Sequence, residues 1–196
     1  LELNGDFPMD VLASSLIGIP IGILCSLLAW WLLFHIVTPK VEFSPKISKI
    51  LLNGTHKYRI KFGNVGRRRI IDVSLHGRVT ARGISSEFPN KLTDLPIKLK
   101  RDYWPVLSKK EMKMSSVESD HLVFNDIIFP SEVRLKAHEN TLKLEDVFSI
   151  GQQPILQINV FAYDEFSGSR KVFCSKKYSV EDIVEKPFAS DTLYLA

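Results

Sequence analysis

An all-β body carried on one N-terminal transmembrane α-helix is the architecture this sequence predicts. Three observations predict it: a single long uncharged run near the start, period-two alternation through most of the remaining chain, and no recurring strand-helix alternation. The chain has 196 residues, room for one domain and a short extra element.

The uncharged run comes first. Residues 11–37 hold 27 positions without Asp, Glu, Lys or Arg, and about 20 apolar residues suffice to cross a bilayer. The leading flank is acidic (Glu2, Asp6, Asp10) and the apolar core is long, which argues against a secretory signal. Leu1 in first place reads as a processed or trimmed start. Residues 1–10 then form a short extracytoplasmic tail and 11–37 the span. Lys40, Lys46, Lys49, Lys57 and Arg59 come after it against Glu42 alone, so the positive-inside rule puts the N-terminus outside and the later residues in the cytoplasm. The expected location is the plasma membrane or a bacterial inner membrane. Of the net charge of +4, the first ten residues contribute −3, leaving +7 beneath an anionic leaflet.

Within the span Ser14, Gly18, Gly22 and Ser26 recur every four residues. That small-residue stripe is a candidate helix-packing face and predicts self-association. Pro20 predicts a bend, and Trp30, Trp31 and Phe34 mark the cytoplasmic headgroup level. Pro39 and Pro45 end the helix near Thr38 and make 38–47 a membrane-exit linker.

Beyond the linker, Tyr58, Ile60 and Phe62 alternate with Lys57, Arg59 and Lys61, the pattern of a strand with one wet face. Asn53-Gly54-Thr55 reads as a turn before it and Gly63-Asn64-Val65-Gly66 as a turn after it. A long strand comes next, with Ile71, Val73, Leu75, Val79 and Ala81 on one face. Gly77 within it marks a bulge or a close backbone approach. Further strands are expected at Pro96–Lys100, Glu132–Lys136, Ile155–Tyr163 and Ser169–Tyr178, the last an edge or a subunit-facing strand. Leu144–Phe148 and the segment capped by Ser179 and Asp182 are the helical candidates. The charged, serine-rich stretch 109–121 reads as an exposed loop. Many short strands of this kind bury their alternating faces as a β-sandwich over 48–188, with a tail over 189–196.

No zinc, Walker, nucleophile-elbow or Cys-x-x-Cys motif occurs, and His56, His76, His121 and His138 lack metal-ligand spacing. The chain is therefore read as not an enzyme, with no cofactor and no metal site. Cys25 and Cys174 lie too far apart in the scheme to pair. Nucleic acid is set aside, since the positive charge comes without a nucleic-acid-binding motif. The densest basic run, Arg67, Arg68 and Arg69, and the cluster Lys98, Lys100 and Arg101 are candidate contacts for anionic lipid or an acidic partner, or else solvated strand ends.

Several blocks in order resemble one family. Pro39-Lys40-Val41-Glu42-Phe43-Ser44-Pro45, Tyr58-Arg59-Ile60-Lys61-Phe62-Gly63-Asn64-Val65, Ile70-Ile71-Asp72-Val73-Ser74-Leu75, and Ile97 to Asp102 with Pro105-Val106-Leu107 are similar to the cytoplasmic domain of inward-rectifier potassium channels. Asn159 to Glu165 and Val172 to Tyr178 resemble its closing hairpin. The resemblance covers about Lys40 to Phe188. It implies an immunoglobulin-like β-sandwich, a homo-oligomer with four copies in a ring, and anionic-lipid contacts at Lys40, Lys46 and Lys49. The ten residues before the span hold no outer helix or pore helix, and the sequence has no threonine-x-glycine-tyrosine-glycine filter. The expected function is thus a single-pass, membrane-anchored regulatory or assembly protein that oligomerises and binds a partner, other membrane-complex subunits or anionic lipid. The alternative is a channel subunit or non-selective pore component.

Overall fold

A computed structural model describes residues 9–33, 38–52, 54–84, 90–122, 143–190 and 192–195, without the side chains of 9–15 and 118–122. The chain divides into two compact units, Leu1–Thr38 and Pro39–Ala196.

The first unit holds helix α1, Met9–Trp31, 23 residues that continue as one helix through Pro20. Leu32 and Leu33 continue in a wider π turn, and Thr38 is already non-helical. Among the described residues no helix is long and apolar enough to cross a membrane. Of the transmembrane helix expected over 11–37, the helix is present over Met9–Trp31, and its crossing of a membrane is not supported by the length and apolarity of the described residues. The described large apolar side chains of α1 and the π turn, from Leu16 at 71% to Leu33 at 41%, are all exposed.

The second unit is mostly β. Its strands are β1 Val41–Phe43, β2 Ile47–Leu52, β3 Thr55–Asn64, β4 Ile70–Arg82, β5 Leu92–Leu99, β6 Tyr103–Leu107, β7 Met112–Leu122, β8 Gln152–Asp164, β9 Arg170–Cys174 and β10 Ile183–Val184, with the short helix α2 at Leu144–Phe148. They hydrogen-bond along one path, β10-β2-β3-β7-β5-β4-β8-β9, with β1 added to β3 and β6 to β4. Two separate stacked sheets were the expectation. The observed sheet is continuous and curls, so that one face closes on a single core. Right-handed strand twist, strengthened at bulges, favours such curling.

Trp104 of β6, 2% exposed, meets Phe62 of β3 edge-on at 5.1 Å, joining distant strands across the core. Burying side chains of this size contributes about 1.5–3 kcal/mol each. Tyr178 is fully buried and its hydroxyl donates to the Ser44 carbonyl at 2.6 Å, tying the segment after β9 to the one between β1 and β2. Burial pushes the Tyr178 hydroxyl up to about 12, so it stays a donor.

Several expectations need correction. Gly63 and Asn64 belong to β3 rather than to a turn: Gly63 pairs with Glu42 on one side and Met112 on the other. A Cβ on Gly63 would lie 2.2 Å from Met112 Sδ, so the glycine marks a crowded strand. In β4 the bulge falls at Asp72, at φ 53, with a register shift between Ile71 and Ser74. It turns Ile70 rather than Ile71 inward. Gly77 instead serves close approach, its would-be Cβ 3.2 Å from Ile158. The stretch 109–121 is largely strand β7, held between β3 and β5, with Ser115 and Val117 buried. The linker 38–47 contains β1, which pairs with β3. Part of the tail 189–196 is docked: Lys61, 6% exposed on β3, donates to the Ala189 and Ser190 carbonyls at 2.8 and 2.6 Å.

Other expectations match. β9 lies at one end of the sheet order, α2 occupies Leu144–Phe148, and the Ser179 amide donates to Asp182 at the start of a 3-10 turn. The strand expected at Glu132–Lys136 and His138 lie outside the described residues, as does the side chain of His121.

Candidate functional site

The junction between linker and sheet is built around Gly66. The amides of Val65 and Gly66 donate to the Lys40 carbonyl at 2.8 and 3.1 Å. A Cβ on Gly66 would stand 2.3 Å from the Lys40 nitrogen and 2.8 Å from the Pro39 carbonyl carbon, so only glycine fits between these backbones. Buried Asn64 fixes the turn from inside: its Nδ2 donates to the Arg68 and Leu107 carbonyls at 2.7 and 3.3 Å, and its Oδ1 accepts from the Gly66 amide at 3.0 Å. The result places the Arg67–Arg69 turn directly beside residues 39 and 40.

Each arginine of that turn has a different fate. Arg68 Nη1 lies 3.2 Å from Asp164 Oδ2, and its guanidinium stacks over Phe166 at 4.2 Å. Asp164, 3% exposed, also accepts from the Phe166 amide and the Ser167 hydroxyl. Burial alone would raise the Asp164 carboxyl; the hydrogen bonds from Ser167, Phe166 and Arg68 outweigh it and hold the group below the usual carboxylate range. Arg69 pairs with Glu165 at 2.7 Å in an exposed position. Arg67 is exposed and makes no ion pair among the described residues. Together with Glu165 and Phe166 the three line a shallow recess of about 400 Å³.

The lysines proposed from the family resemblance are also engaged. Lys40 pairs with Glu42 at 2.8 Å on the surface. Lys46 and Lys176 both reach Asp182 at 2.8 Å; burial alone would raise that carboxyl, and the two ammonium groups hold it low. Lys49, only 13% exposed, sits between Glu145 at 2.8 Å and Glu185 at 2.9 Å, and its hydrogen bond to Glu145 raises its pKa. Glu145 further accepts from the Tyr58 hydroxyl. Burial works to raise Glu145, yet Lys49 and Tyr58 keep it ionised below its ordinary range. Lys49 and Arg68 therefore hold α2 and the β8–β9 hairpin to the sheet. Of the six basic candidates, Arg67 presents the least encumbered charge.

On α1, a Cβ added at Gly18 or Gly22 would meet nothing within 4 Å, and Ser26 Oγ donates to the Gly22 carbonyl at 2.8 Å. The stripe is thus open from Gly18 to Ser26, with the serine's polar atom satisfied along its own helix; the Ser14 side chain lies outside the described residues. Cys25 and Cys174 are free and exposed. Among the described residues no three His, Cys, Asp or Glu side chains gather as metal ligands. His76 packs edge-on to Phe161 at 5.2 Å, and His56 Nδ1 is buried with no hydrogen-bond partner among the described residues.

Sequence reasoning overlooked the pairings Arg68–Asp164 and Lys46–Asp182, which join residues 96 and 136 positions apart. It also overlooked a cationic groove on the outer face of β4, β5 and β8. The alternation of Arg78, Thr80 and Arg82 was the signal for that face; Lys177, which completes it, is distant in the chain. Compared with known proteins, the chain matches no family model and no curated sequence.

Proposed function

We propose that this chain is a single-pass membrane protein whose β unit works as an assembly or partner-binding module on the cytoplasmic side. The observation that carries the reading is the character of α1. Its described apolar side chains, Leu16 to Trp31, are exposed around the whole helix, and a helix apolar all round belongs in a protein core or in lipid. The uncharged sequence extends on to Val37, beyond the described helix, and gives enough length for lipid. The β unit, by contrast, buries its own core and has no need of the helix for it.

The inward-rectifier-like reading of the β unit is supported by its mostly β content, by β3 ending at Gly63 and Asn64, and by the β8–β9 hairpin with buried Tyr178 after it. The open stripe at Gly18, Gly22 and Ser26 supports close helix-helix contact. Arg67 with exposed Phe166 beside the membrane exit supports contact with anionic lipid.

Alkaline carbonate extraction of cells expressing the full chain tests the anchor. The protein is expected in the membrane pellet, and Leu24→Arg combined with Leu27→Arg is expected to release it. Unsubstituted protein in the supernatant contradicts the reading. Native mass spectrometry in detergent tests the assembly arm, where a monomer at all concentrations would remove it.

A further inference from the structure

The path of the sheet begins at β10 and ends at β9. Strand β10 is two residues long, whereas β9 has five and pairs with β8 alone among the described residues. Two hydrogen bonds fix which backbone groups that pairing leaves over. The Asp164 amide donates to the Ser169 carbonyl at 3.0 Å, and the Ser175 amide donates to the Ile158 carbonyl at 2.8 Å. Bonded residues alternate along an antiparallel pair, so Lys171 and Phe173 turn their backbone groups to β8, while Arg170, Val172 and Cys174 turn theirs away from the sheet. Each of these three offers one N–H and one C=O, and none of them is hydrogen-bonded among the described residues.

Most devices that blunt a strand edge are missing from β9. No proline or bulge interrupts it, and its register with β8 runs unbroken from Asn159–Cys174 to Tyr163–Arg170. By contrast β6, which pairs with β4, carries Pro105. Charge is what β9 does have: residues 170–177 hold four bases and no acid. Asp182 pairs with Lys176 at 2.8 Å, while Arg170, Lys171 and Lys177 have no ion-pair partner among the described residues. Two such edges brought together would crowd like charges, whereas a strand of opposite charge is attracted.

We propose that β9 receives an extended acidic segment of a partner protein as an added strand. The outward backbone groups supply the affinity common to strand addition, and side chains on alternate faces supply the selection. Val172, 53% exposed, stands next to Arg170 on one face, where the Arg170 guanidinium lies over the Phe161 ring at 5.2 Å. An apolar residue of the incoming segment packs on Val172, and carboxylates meet Arg170 on that face and Lys171 on the other. The inference rests on the partner-binding reading of the β unit and not on the membrane anchor, so carbonate extraction and strand addition succeed or fail separately.

Fluorescence anisotropy of the full chain in nonionic detergent tests this, with a labelled peptide Glu-Thr-Thr-Val-Thr-Val-Glu-Glu as the probe. Laid antiparallel, its second valine faces Val172 and its last two glutamates face Lys171 and Arg170. Saturable binding is expected, lost by tenfold or more when both valines of the peptide are N-methylated, which removes donors aimed at β9 and keeps the charge. Val172→Pro is expected to act likewise, since it removes an N–H that points away from β8. Arg170→Gln with Lys171→Gln is expected to weaken binding roughly three- to tenfold, the scale of two exposed ion pairs. Unchanged thermal unfolding verifies that each variant is folded, and the N-methylated peptide needs no variant at all. No binding, equal binding of the N-methylated peptide, or tighter binding of a peptide with lysine in place of glutamate overturns the proposal. Self-association of the chain that Val172→Pro abolishes assigns the edge to a second copy and overturns it too.

Discussion

Leu16 and Leu156 are the same side chain in opposite circumstances: one is 71% exposed on α1, the other fully buried in β8. The contrast extends to the units that hold them. The β unit alternates wet and buried faces and closes its apolar side on one core. The helix shows no such alternation, and its described apolar side chains remain uncovered. Two patterns of hydrophobicity thus stand in one chain, a face that the sheet covers and a helix whose described apolar side chains stay uncovered, and the lipid setting proposed for α1 rests on that difference.

The sharpest way to break that comparison is to truncate one large apolar residue in each unit. Trp104→Ala in the β core should cost about 3–5 kcal/mol of unfolding free energy by denaturant titration. Leu27→Ala on α1 should leave the unfolding of the β unit within about 0.5 kcal/mol of its starting value. Comparable losses from the two would mean that the helix is part of the same core.

A smaller loss, roughly 2–3 kcal/mol, is expected for Gly66→Ala, because the added Cβ meets the backbones of Pro39 and Lys40. The same change at Gly18, where a Cβ meets nothing, should leave the β unit unaltered. Equal tolerance at the two glycines, measured by thermal unfolding, would contradict the packing described at the junction.

The mildest effect is pH dependence confined to the β unit. The carboxyls of Glu145, Asp164 and Asp182 are held below their ordinary values of 4.5, 3.8 and 3.8. A carboxylate depressed on folding contributes stability that is present above its unfolded pKa and lost as pH falls through the folded one. The unfolding midpoint should thus be flat from neutrality to about pH 5 and decline below about pH 4. Asp164→Asn should shallow that decline. A midpoint that rises on acidification would reverse the sign and remove the ion-pair account.

The sequence makes local alternation legible and long-range pairing illegible. Tyr58, Ile60 and Phe62 declare β3, and Val73, Leu75 and Val79 declare the inward face of β4, because burial follows period two. The bulge at Asp72 is hidden since it depends on how β4 meets β8. Strand β7 is hidden for a different reason: Lys113, Ser115 and Ser116 look solvated, yet Ser115 is satisfied by the Arg101 carbonyl, and neighbours on both sides take up the strand's backbone groups. Arg67, Arg68 and Arg69 are equivalent as letters. Only folding brings Asp164 to one, Glu165 to another and no ion-pair partner to the third among the described residues.

The most direct measurement is proteolysis of sealed, right-side-out cells carrying the full chain. If α1 lies in the bilayer with its N-terminus outside, the β unit should survive external protease and be digested once the membrane is permeabilised. Digestion of the β unit while the cells remain sealed would contradict the account.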